Sequence, residues 1–139
     1  MTVRLARAAL AAIHGAAARA YPHEACGALL GPADGDVREA LALSNREAGS
    51  PRTRFTISPA DYLATESTAE ARGSRLLGFW HSHPDHAARP SATDREHAWE
   101  GLLTVVVAVE RGQPGEISAW TVPGRGEPFA EVPLSVEEA

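Results

Sequence analysis

Along the first twenty positions the apolar residues Val3, Ala6, Leu10, Ile13, Ala17 and Ala20 recur at three- and four-residue steps. That spacing lays one apolar stripe along a helix of about residues 3–20, and a helix with a single stripe covers a sheet. Cys26 to Leu30 is a short apolar run closed by Gly31-Pro32, and Val37 to Leu43 is a second run beyond the turn-rich Ala33-Asp34-Gly35-Asp36. The pair predicts a β-hairpin. Ser44 to Arg52 is polar and reads as an exposed loop before a strand at Thr53 to Ile57. Ser58-Pro59 then supplies a helix cap with proline at the first helical position, and the helix runs to about Arg72, stopped by Gly73. Leu76 to His83 predicts a strand, and Ala92 to Glu100 a helix ended by Gly101. The near-continuous β-branched run Leu102 to Val109 fits a strand buried on both faces. Glu116 to Val122 and Pro128 to Val132 complete the pattern as strands bounded by glycine and proline. These elements predict a mixed α/β fold, a single central β-sheet packed by helices.

Composition narrows the setting. The 139 residues match one domain with a single core, so residues 1–139 are expected to form one unit. An apolar fraction of 44% and a charged fraction of 22% are those of an ordinary globular chain. The formal charge of −5 argues against nucleic acid or an anionic membrane as main partner, because both are held through basic patches. Cys26 is the only cysteine, which excludes an internal disulfide and a four-cysteine zinc site. The early alanine-rich run is broken by His14, Gly15 and Arg19, unlike a signal peptide, and no apolar stretch is long enough for a membrane span. A soluble, cytoplasmic protein is expected. The oligomeric state, a homodimer included, stays open.

The chemistry concentrates in Gly78-Phe79-Trp80-His81-Ser82-His83-Pro84, followed by Ser91 and Asp94. Residues two apart on a strand face the same side, so His81 and His83 present both imidazoles to one point. Two neutral imidazoles suit zinc. Pro84 ends the strand, and the polar loop to Pro90 can return Asp94, on the first turn of the next helix, to their side. Three protein ligands leave a fourth position for water, whose pKa zinc lowers to about 7. A carboxylate outside the ligand set is then wanted to move protons. Glu24 can supply it from a neighbouring strand, although spacing alone does not rank it above the other glutamates.

His81-Ser82-His83-Pro84, Ser91 and Asp94, with Glu24 in Pro22-His23-Glu24-Ala25-Cys26-Gly27, resemble the JAMM (MPN-plus) metalloprotease motif. The order of predicted elements is similar to that family along nearly the whole chain. The resemblance implies the MPN/JAMM, cytidine-deaminase-like fold. It implies zinc ligation by His81, His83 and Asp94, Glu24 as general acid and base, and Ser91 as donor to the oxyanion of the tetrahedral intermediate. It further implies hydrolysis of an amide bond at the C-terminal tail of a ubiquitin-like or sulfur-carrier β-grasp protein, the substrate class of the short bacterial-type members. Long insertions of the kind that grip a second ubiquitin are missing from the sequence. A glycine-ended tail is expected to enter beside the histidine-bearing strand as an added strand. Metal-free scaffolds of the MPN fold, and zinc hydrolases of small peptides, are the alternative readings.

Plainer readings stand beside these. Ser91-Ala92-Thr93-Asp94 is also a helix-opening pattern, in which an aspartate that reaches back to the cap would have difficulty ligating a metal as well. Cys26 fits a small core residue better than a nucleophile, and Trp80, Trp99 and Trp120 fit packing, with Trp80 pointing opposite to His81. His86 and His97 suit the surface, His97 having a weaker claim to a place behind Asp94, and His23 has no assigned role. His81-Ser82-His83-Pro84-Asp85-His86 also satisfies the His-x-His-x-Asp-His pattern of metallo-β-lactamase-like hydrolases. That fold needs further ligands downstream, whereas no histidine follows His97 and no aspartate follows Asp94.

Overall fold

The computed structural model describes residues 1–122, 124 and 127–137, with only the backbone of Glu96 and His97. The possible role of the His97 side chain therefore lies outside the described residues. The elements run β1 (Val3–Leu5), α1 (Arg7–Ala20), β2 (Cys26–Gly31), β3 (Asp36–Val37), β4 (Glu39–Leu43), α2 (Pro59–Ala71) and β5 (Arg75–Pro84). They continue with α3 (Ala92–His97), β6 (Leu103–Glu110), β7 (Gln113–Thr121), β8 (Ala130–Val132) and β9 (Leu134–Val136). A central six-stranded sheet has the order β4-β2-β5-β6-β7-β8. β5 and β6 pair parallel, and the other neighbours pair antiparallel.

Alternation along the strands sends side chains to two opposite layers. Leu29, Trp80, Val105, Val107 and Val109 pack against Ala9, Ile13 and Ala17 of α1. Cys26, Ala28 and Phe79 pack on the other side with Ile57, Phe55 and Tyr62 of α2. Trp80 and His81 thus face apart, and the Trp80 indole donates to the Leu41 carbonyl of β4 at 3.0 Å. It reaches β4 across Gly27, where a Cβ would lie 2.3 Å from the indole nitrogen and 1.8 Å from the Leu41 oxygen. Only glycine lets the two strands and the ring approach so closely.

The expected hairpin, the second helix and the β5 and β6 strands all form. Ser58 accepts from the Asp61 amide at the start of α2, and Gly73 ends it at φ +67°. Four local features differ. Val3–Leu5 is a strand and not the first turn of α1, because Asp36–Val37 and Leu134–Val136 pair with it in parallel from distant parts of the chain. The resulting three-stranded sheet, order β3-β1-β9, was not legible in the pattern. Thr53 to Ile57 joins no strand: the Thr56 amide donates to Asn45 Oδ1 and its carbonyl accepts from the Arg46 amide, so local partners replace a sheet neighbour. α3 ends at His97, with Ala98 extended at φ −72° and ψ 141°, three residues before the Gly101 turn. Among the described residues no helix is long and apolar enough to cross a membrane.

Candidate metal centre

β5 lies in the middle of the sheet, and its C-terminal end carries His81 and His83. A parallel neighbour must be reached by a crossover, since a tight turn can join only antiparallel strands. The crossover from β5 to β6 contains α3, and its first turn brings Asp94 back to the histidines. His81 Nε2 and His83 Nε2 lie 3.2 Å apart, and each is 3.0 Å from Asp94 Oδ2. Glu24, just before β2, completes the group: one ligand atom from each of Glu24, His81, His83 and Asp94 lies within 4.8 Å of all the others. All four side chains are buried.

The donor chemistry fits a divalent metal. His83 Nδ1 lies 2.9 Å from the Ala87 carbonyl, an oxygen that can only accept, so Nδ1 carries the proton and a neutral ring keeps its Nε2 lone pair free. That lone pair, His81 Nε2 and a carboxylate oxygen converge on one point, and a cation reconciles three electron-rich atoms there. Glu24 Oε1 is buried and has no hydrogen-bond partner among the described residues. An orphaned oxygen beside such a cluster is what a proton carrier outside the ligand set looks like.

Electrostatics separates the two carboxylates. Burial pushes Glu24 up to about 8, with the nearby Asp94 charge adding to the rise and His83 opposing it. Burial acts on Asp94 too, but the neighbouring His81 and His83 imidazoles and the Ser91 amide outweigh it and hold Asp94 well below the usual range. Burial lowers His81. For His83 burial is outweighed by Asp94, the Ala87 carbonyl and Glu24, and its pKa rises.

Ser91 and Asp94 form a capping box: the Asp94 amide donates to Ser91 Oγ at 3.0 Å, and the Ser91 amide donates to Asp94 Oδ2 at 2.8 Å. The same Oδ2 faces both histidines. One carboxylate oxygen thus reaches back to the cap and turns to both imidazoles at once, because it has lone pairs in more than one direction.

Asp85 does not join the cluster; its carboxylate accepts from the Tyr21 hydroxyl at 2.7 Å and the Arg111 amide at 2.8 Å, which removes the metallo-β-lactamase-like pattern from consideration. Cys26 is buried, its thiol pushed up to about 12 by burial first and then by Glu24 and Asp61. Trp99 is 38% exposed and rests against Tyr62 and Phe79. β5 has β2 on one side and β6 on the other, so no tail can add to it as a strand. Sequence reasoning missed Phe55, whose ring stacks on His81 with centroids 4.5 Å apart at 22°. It also missed Asn45, since neither residue carries a spacing signal.

Comparison with known proteins agrees with this geometry. Residues 6–123 match the family of prokaryotic homologues of the JAB domain. The chain is 33% identical over 119 residues to a desampylase of Haloferax volcanii, covering 84% of this chain and 80% of that one. A solved structure from Desulfitobacterium hafniense superposes with TM-score 0.84 at 28% identity, covering 100% of this chain and 94% of the other. A JAB1/MPN domain protein of Archaeoglobus fulgidus superposes with TM-score 0.61 at 23% identity over 98% and 97% of the two chains, a likeness of fold.

Proposed function

The chain belongs to the family of prokaryotic homologues of the JAB domain, hydrolases of the JAMM type, and from that premise we propose that it is a zinc-dependent isopeptidase or peptidase. Its substrate in this reading is the C-terminal tail of a ubiquitin-like or sulfur-carrier β-grasp protein, cut at the amide bond after the tail. The observation that carries the reading is the convergence of His81 Nε2, His83 Nε2 and Asp94 Oδ2 at 3.0–3.2 Å beside the unpartnered oxygen of Glu24. The desampylase relative supports the substrate class.

His81, His83 and Asp94 would hold the ion. Bound there, zinc would supply Lewis-acid chemistry for the scissile carbonyl and for water. Glu24 takes the proton of the attacking water on its free carboxylate oxygen and returns it to the leaving amine. Ser91 donates its hydroxyl proton, which the cap does not use, to the carbonyl oxygen as negative charge develops. An open groove of about 450 Å³, lined by Arg19, His23, Glu24, Leu43 and Asn45, reaches Glu24 from the side of β4.

The test is a cleavage assay on β-grasp carrier proteins with C-terminal extensions, run with and without a chelator and with zinc returned. Cleavage behind the terminal glycine should stop with chelator and resume with zinc. Chelator-insensitive cleavage would remove the metal from the reaction, and equal rates on short glycine-ended peptides would move the substrate class to small peptides. No cleavage of either, with zinc bound, would leave a scaffold.

A further inference from the structure

Asn45 follows β4 and opens the segment 46–56. Its amide meets four backbone groups: Nδ2 donates to the carbonyls of Glu24 at 3.1 Å and Arg54 at 3.0 Å, and Oδ1 accepts from the amides of Glu47 at 3.0 Å and Thr56 at 3.1 Å. A carboxamide has two donor hydrogens and one oxygen with two lone pairs, so this side chain is saturated. The Arg46 amide donates to the Thr56 carbonyl at 2.9 Å, which closes the two arms of the segment on each other. These bonds bring the ends of the segment together, as in a compact loop.

The loop is also the support of Glu24. β2 begins at Cys26, so Glu24 lies outside the sheet ladder. Its amide donates to the Pro51 carbonyl at 2.7 Å, and its carbonyl accepts from Asn45. Both backbone polar groups of Glu24 are therefore bonded to this segment or to the Asn45 that opens it, while its carboxylate oxygen Oε1 has no hydrogen-bond partner among the described residues. The same segment carries Phe55, stacked on the His81 ring. One loop thus touches the proton carrier through its backbone and a metal-facing imidazole through an aromatic face.

We propose that Asn45 is a positioning residue, tying the 46–56 loop to the Glu24 backbone so that the Glu24 carboxylate is set against the His81–His83–Asp94 cluster. This rests on the proton-carrying role proposed for Glu24. The cluster has pins of its own, the Ala87 carbonyl on His83 and the Ser91 amide on Asp94. Loosening the loop should therefore spare metal binding and displace Glu24.

Two variants test it, Asn45→Ala and Asn45→Asp. The aspartate keeps both acceptor contacts with Glu47 and Thr56 and loses both donors, so it cuts the link to Glu24 while leaving the start of the loop closed. Each is measured alone and in the Glu24→Gln background, on a β-grasp protein whose C-terminal glycine is amide-linked to an aminocoumarin. With zinc content unchanged, kcat should fall about 10- to 100-fold in the otherwise native protein, the scale of a small misplacement of a reacting group. In the Glu24→Gln background the remaining rate should change by less than about twofold, because residues acting through one another are not additive. In the metal-free protein, amide exchange at Glu24 should quicken in both variants while the β5 amides keep their protection. Equal rate losses in both backgrounds, loss of zinc, or unchanged exchange at Glu24 would each overturn the proposal. Full activity of Glu24→Gln itself would instead reject the role of Glu24, and the exchange measurement would still decide whether Asn45 holds it.

Discussion

On the histidine side of the site the polar atoms are engaged: His83 Nδ1 meets the Ala87 carbonyl, Asp94 Oδ2 meets both imidazoles and the Ser91 amide, and the crossover loop is anchored at Asp85. The Ala88 carbonyl in that loop accepts from Ser118, whose oxygen in turn accepts from the Trp120 indole at 2.7 Å. On the Glu24 side the backbone is held by one loop, and the buried carboxylate oxygen Oε1 has no partner among the described residues. Leaving a buried polar atom unpaired opposes folding by about 1–3 kcal/mol, so a fold keeps one only where something else meets it. The contrast separates two tasks. In the proposed mechanism the three ligands stand in place before the ion arrives, whereas the proton carrier keeps a lone pair uncommitted.

The widest consequence of that contrast is at the ligands. His81→Ala should abolish hydrolysis and leave the dialysed protein without bound zinc, read by metal analysis; an unchanged zinc content would contradict the ligand assignment. Glu24→Gln should break the other half alone, lowering kcat by about 10²- to 10⁴-fold, the range of general acid–base catalysis, with zinc retained. Retention of full activity would reject its role.

Ser91→Ala sits between the halves, because Ser91 caps α3 and, in the proposed mechanism, offers a proton to the oxyanion. Loss of an oxyanion donor predicts a fall in kcat of about 10²-fold or more. Loss of the cap predicts about 1 kcal/mol of stability. Calorimetry and kinetics read the two separately, and a stability loss without a rate loss would confine Ser91 to capping.

The smallest effect is thermal and concerns the metal-free protein. Glu24 is raised to about 8 when folded, against its ordinary 4.5. As pH rises between these values the unfolded chain gives up this proton and the folded chain keeps it, so Glu24 contributes a loss of stability across that window. Glu24→Gln removes the contribution, and its Tm should gain on the wild type progressively from about pH 5 to pH 8. A constant difference in Tm would show that Glu24 is not held protonated. Asp94 has the opposite sign: its lowered pKa stabilises the fold above its ordinary 3.8, and that stabilisation is lost as pH falls below it.

The strong local signals were read correctly from the chain. Ser58-Pro59 opens α2 and the β-branched run becomes β6, because a cap and a buried strand are written in adjacent residues. His81, His83 and Asp94 were legible for the same reason, two positions of one strand and a helix opening soon after it. Val3–Leu5 misled because three residues fit a helix stripe or a strand equally well, and the decision belongs to partners at Asp36–Val37 and Leu134–Val136. Thr53 to Ile57 has strand composition, yet Asn45 occupies the Thr56 amide that a neighbour would need.

The sequence by itself determined which atoms are available: two imidazoles on one face of a strand, a carboxylate one loop away, and a chain with a single cysteine. Only the tertiary structure decided that Glu24 joins them, since it stands more than fifty positions earlier and reaches the cluster because β2 pairs with β5, Cys26 opposite His81. The structure alone likewise showed Phe55 on His81 and Asn45 under Glu24. Periodicity reports which way a side chain faces within its own element, while contacts between elements depend on strand order and register, which no local pattern encodes.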